Sequence, residues 1–92
     1  MNYEEIINWA LLTFGQSSQK MMAMEECAEL INVLAKEKRG RTCNQEVITE
    51  IADVMIMTQQ LAVIYGKDAV EEEMNRKLSR LEERIRGVIH SV

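Results

Sequence analysis

Glu50-Ile51-Ala52-Asp53-Val54-Met55-Ile56-Met57, followed by Leu61-Ala62-Val63-Ile64-Tyr65, is the stretch that decides the fold. It is apolar on nearly every side, which suits a central, buried helix of a helical protein. Gly66 ends it and Thr42 or Asn44 is suited to cap its start, so the pattern predicts a helix over 44–65. Downstream, Val70, Met74, Leu78, Leu81, Ile85 and Val88 recur every three or four residues, and Asp68 is a natural cap. That predicts a helix over 69–88 with one narrow apolar stripe, fit for a bundle face or a short coiled-coil seam. Upstream, Gly40 follows the basic run Lys36 to Arg39, a helix C-terminus by dipole and by turn chemistry. Gly15-Gln16-Ser17-Ser18 marks another break, with Ser17 or Ser18 as cap. Helices are therefore expected over 18–38 and over 3–14.

Composition agrees. The 92 residues hold no proline, four glycines and 4% aromatics, too few of each for a sheet-rich domain. One domain, 1–92, is all that so short a chain can build around a core. The expected architecture is all-α: an antiparallel bundle of about four helices, completed by self-association because a core this small is marginal alone. A net charge of −4 argues against binding nucleic-acid phosphates. No window reaches about eighteen uninterrupted apolar residues, so no membrane span is expected. The acidic start does not look like a secretory signal, and Cys27 and Cys43 form no CxxC pair. A reducing, cytoplasmic location is the expectation.

The chemistry concentrates in carboxylates. Glu26 and Glu29 lie three apart, neighbours on one helix face, and Met22 and Val33 bracket them with apolar side chains. Glu50 and Asp53 repeat the spacing in stronger context. Aspartate is a poor interior helix residue, and an ionised one inside the most apolar run is costly unless paired or bound to a cation. A salt bridge to Arg or Lys is the competing explanation for Asp53. Antiparallel packing of the second and third helices would bring all four carboxylates together with no cationic residue inside either motif, an arrangement that calls for a metal ion. Oxygen-only ligands suit Mg²⁺, with Mn²⁺ as substitute. The sole histidine, His90, sits near the C-terminus, and Cys27 stands alone as a packing residue, so neither iron nor zinc finds its usual donors. Lys77 and Arg80, with Arg84 on the same stripe and Arg76 nearby, offer charge complementary to phosphates. Pairing of that stripe with Glu73, Glu82 and Glu83 is the plainer alternative. No glycine-rich phosphate loop is present.

Glu25-Glu26-Cys27-Ala28-Glu29, twenty residues, then Glu50-Ile51-Ala52-Asp53 resembles the EExxE…ExxD signature of the MazG-like nucleotide pyrophosphohydrolases, the short phage-type members above all. Gln19, Leu30, Val54 and Gln60-Leu61 at the flanks, and the ending Lys77 to Ile85, are similar as well. Thr49 departs from the pattern, where members often carry a further Glu; Glu46, one turn before Glu50, is the candidate substitute. The resemblance implies an all-α pyrophosphatase fold working as a homodimer or homotetramer. It also implies cleavage of nucleoside triphosphates between the α and β phosphates, giving monophosphate and pyrophosphate. Glu26, Glu29, Glu50 and Asp53 would hold Mg²⁺ and serve catalysis, and Lys77 and Arg80 would bind the triphosphate. Two other classes fit the same residues: a non-catalytic helical dimerisation module, and a nucleotide sensor that binds without turnover. Asp53 discriminates, since a mere bundle gains nothing from it. Trp9, Phe14 and Tyr65 are suited to stack on a nucleobase, although a core position is the commoner fate of such residues.

Overall fold

The computed structural model describes residues 1–90 and is helical throughout: α1 (Tyr3–Phe14), α2 (Gln16–Lys38), α3 (Asn44–Tyr65) and α4 (Lys67–His90). Four helices stand where the apolar spacing puts them; the caps differ. Asn2 caps α1 as an N-cap should, its side chain accepting from Glu5 N at 2.9 Å. Neither Ser17 nor Ser18 caps α2, which already starts at Gln16 because Gly15 alone makes the turn. Gly15 has φ +87°, a conformation costly for other residues, and donates its N–H to Leu11 O. Cys43, not Thr42 or Asn44, occupies the N-cap of α3, and its side chain makes no capping bond. Asp68 lies within the first turn of α4, where its charge favours the helix N-terminus without capping it.

Helices α2 and α3 form the main packed pair, and they run antiparallel. Gln19 meets Gln60, Glu26 meets Asp53, and Glu29 meets Glu50, so each step forward along α2 is a step back along α3. Ala23 and Met57 are buried in this seam, and the small Ala23 side chain lets the two backbones approach. Helix α1 lies against α3 through the buried Ile7, with Gln59 and Val63 opposite it and a Lys67–Glu4 ion pair of 3.2 Å at the rim.

Helix α4 departs from the expected bundle. Its backbone packs on α3 alone, its first residue, Lys67, reaches α1 only through the ion pair to Glu4, it does not meet α2, and none of its residues is buried. Leu78, Leu81 and Ile85 are about half exposed. Gly66, at φ +110°, is the whole connection to α3, and it swings α4 out of the packed body. Helix α3 is central in that it touches all three others, but Ile51, Met55 and Ile56 remain exposed. By length and a mean hydropathy of 1.5, α3 is the one helix among the described residues apolar enough to cross a bilayer. Glu50 and Asp53 sit in the middle of it, where charge in a hydrocarbon layer is costly. Trp9, Phe14 and Tyr65 are not core residues: each is more than half exposed, and the Lys20 ammonium of α2 stands 4.9 Å over the Tyr65 ring.

Candidate metal centre

The i, i+3 spacing places Glu26 with Glu29 on one face of α2, and Glu50 with Asp53 on one face of α3. The antiparallel register turns these two faces toward each other. One carboxylate oxygen from each of Glu26, Glu29 and Glu50 lies within 4.8 Å of the other two. Asp53 falls outside that group of three but lies close enough to the Glu26 carboxyl to act on it, as Glu29 acts on Glu50. The shorter aspartate side chain thus joins the cluster through Glu26. All four residues expected from the sequence are brought together.

The electrostatics are those of an uncompensated anion cluster. Burial pushes the Glu26 carboxyl above its ordinary value, and the charges of Glu29, Asp53 and Glu50 push it further. Burial likewise raises Glu50, with Glu29 and Asp53 adding to it. Among the described residues no lysine or arginine acts on either group, and none forms an ion pair with Asp53. One oxygen of Glu26 and one of Glu50 are closed off from water and have no hydrogen-bond partner among the described residues. Buried polar atoms are normally satisfied, and two orphaned carboxylate oxygens facing one space is the arrangement a cation corrects. The donors are oxygens only, which fits a hard divalent ion such as Mg²⁺. Cys27 is half-buried and free, and Cys43 is exposed.

Lys77 and Arg80 are not at this centre within one chain. They line a hollow on α4 together with Leu81 and Arg84, on a helix that never meets α2. Lys77 Nζ stands 4.0 Å from Glu73, whose carboxyl is lowered first by the hydrogen bond that Arg76 donates to it. Glu46, the candidate substitute for a glutamate at position 49, is drawn aside instead, accepting from the Thr42 hydroxyl. The buried pair Gln19 and Gln60 marks the far end of the same seam. Each stands seven residues from a carboxylate, Gln19 before Glu26 and Gln60 after Asp53; that spacing was the available signal of a shared face.

In comparisons with protein-family models, curated proteins and solved structures, no match to this chain was found.

Proposed function

We propose that the protein is an Mg²⁺-dependent nucleoside triphosphate pyrophosphohydrolase, with Mn²⁺ an acceptable substitute, working as a homodimer or homotetramer. What supports the reading is the cluster of four carboxylates with two orphaned, water-excluded oxygens and no compensating cation. The EExxE…ExxD spacing, in which the same four residues stand, supports the choice of reaction. When bound, the metal polarises phosphoryl oxygens and acidifies a water molecule. Glu26, Glu29, Glu50 and Asp53 would hold it. One of the glutamates would accept the proton of the attacking water. The water oxygen forms a bond to the α phosphorus, the α–β bridging bond breaks, and pyrophosphate leaves with the negative charge. Lys77 and Arg80 would bind the triphosphate and stabilise that charge.

The test is a panel of ribo- and deoxynucleoside triphosphates with Mg²⁺, scored for monophosphate and pyrophosphate. Release of orthophosphate only, or no release from any of them, would overturn the reading. The wholly unburied α4 favours a second reading, a helical dimerisation module without catalysis. It predicts self-association with neither nucleotide binding nor turnover. A nucleotide sensor would bind in the presence of Mg²⁺ and release no monophosphate.

A further inference from the structure

The net charge of −4 conceals a separation of charge. Lys36, Lys38, Arg39 and Arg41 crowd the turn between α2 and α3, with Glu37 the one acid among them. Four cations and one acid give this tip +3, which leaves seven cations and fourteen acids, −7, for the rest of the chain. All four cations are exposed, and among the described residues no carboxylate forms an ion pair with any of them. On α4, by contrast, Lys67, Arg76, Lys77 and Arg86 each stand in an ion pair. The helix dipole accounts for Lys36 and Lys38, in the last turn of α2, but Arg39 and Arg41 lie beyond it. The turn is fixed by its backbone. Gly40 takes φ +69°, and the N–H groups of Arg39 and Arg41 both donate to Lys36 O, at 3.0 and 2.9 Å, which gathers the four cations around one bend.

We propose that this tip docks on the phosphate backbone of double-stranded nucleic acid, without regard to sequence. The partner follows from what the tip lacks. No leucine, isoleucine, valine, methionine or aromatic residue stands between Lys36 and Gln45. A protein partner is held by an apolar core within a polar rim, whereas phosphates bind cations by releasing counterions and need no apolar burial. No aromatic residue occurs in α2, in the turn, or in α3 before Tyr65, so unpaired bases have nothing near the tip to stack on. A duplex keeps its bases stacked inside and presents closely spaced phosphates, for which the Arg39 and Arg41 guanidinium groups are suited donors. The −7 of the remaining chain is repelled by the same phosphates, and this turns the molecule tip first. The surface is separate from the carboxylate cluster: Glu29 lies seven residues before Lys36 and Glu50 nine after Arg41. It does not rest on the pyrophosphohydrolase reading.

Fluorescence anisotropy of a labelled DNA duplex of arbitrary sequence, titrated with the full chain, tests this. The buffer contains EDTA, so that no divalent ion bridges the carboxylates to a phosphate. Binding is expected at micromolar protein in about 50 mM salt, and its logarithm should fall against the logarithm of salt with a slope of about −3.6 when all four cations meet phosphates. Arg39→Ala/Arg41→Ala should reduce that slope by about 1.8 and weaken binding about tenfold or more. Arg39→Lys/Arg41→Lys should keep the slope. Both variants should melt as wild type does, because these side chains are exposed and the turn is held by backbone bonds. Absence of duplex binding at about 100 μM wild-type protein overturns the proposal, as does equal binding by the alanine variant. A single strand bound more tightly than the duplex also overturns it. So does an equal loss in Lys77→Ala/Arg80→Ala, which would put the contact on α4. No turnover enters the measurement, so its failure and that of the pyrophosphohydrolase reading are told apart.

Discussion

Gln19 Nε2 donates to Gln60 Oε1 at 2.8 Å, and both residues are buried between α2 and α3. Among the described residues this is the one amide pair that spans the seam, and it stands in the same register as Glu26 with Asp53. Slipping either helix by one residue would part the amides and rotate the carboxylates out of opposition together. A polar pair at a helix interface fixes alignment because the misaligned state leaves its groups unsatisfied. The pair therefore positions the metal centre without touching it.

Replacing Gln60 by Leu leaves the Gln19 amide buried without its acceptor. The expected cost is about 1–3 kcal/mol, read from urea denaturation. The double variant Gln19→Leu/Gln60→Leu should recover part of that stability, since both polar groups are then gone. A Gln60→Leu protein as stable as wild type would remove the pair from its role in alignment.

Acid should stabilise the metal-free protein. Glu26 and Glu50 are raised from 4.5, so the folded state binds more protons than the unfolded one in that range. Their contribution is complete below about 4.5 and is lost as pH rises through the raised folded values. The thermal midpoint without divalent ions should fall as pH rises above about 4.5, and saturating Mg²⁺ should flatten the slope by binding the ionised form. Glu73 is lowered and acts in the opposite direction, but only as pH falls below its unfolded value. A midpoint that rises toward neutral pH in the absence of metal would contradict the cluster.

Asp53→Asn keeps the shape of the side chain and removes one charge. Mg²⁺ affinity and turnover should fall together by on the order of 10- to 100-fold or more, the scale seen for groups that support a metal site. Isothermal titration with Mg²⁺ and a pyrophosphate assay measure the two separately. Intact turnover with weakened metal binding would separate Asp53 from the chemistry.

The fold was legible where it depends on local pattern. Apolar spacing and glycine punctuation place all four helices, and the repeated three-residue spacing of the carboxylates survives as a real cluster. Register was the harder part, since nothing in α2 alone says that Glu26 will meet Asp53 instead of Glu50. The position of α4 was not legible at all. Its stripe of Leu78, Leu81 and Ile85 reads the same whether or not it is covered, and after the Gly66 turn it stays about half exposed. Caps were misplaced for a related reason. Ser17 and Ser18 are good caps, but the left-handed turn available at Gly15 lets α2 begin before them.

Lys77→Ala and Arg80→Ala should each slow turnover by about ten- to a hundredfold, the loss of one charge-assisted contact to a phosphate. Mg²⁺ binding should stay near wild type, because neither residue approaches the carboxylates of its own chain. Stability should also hold, since both side chains flank the apolar stripe and no α4 residue is buried. Salt separates this from a merely solvated face. Raising ionic strength should inhibit wild type more than either variant, as screening weakens a contact that the variants no longer possess. The alternative is that these residues serve only exposed ion pairs such as Lys77 with Glu73, for which surface substitution changes little. Kinetics and salt response unchanged in both variants would return α4 to an ordinary solvated helix, and the four carboxylates would then have to act on phosphates without it.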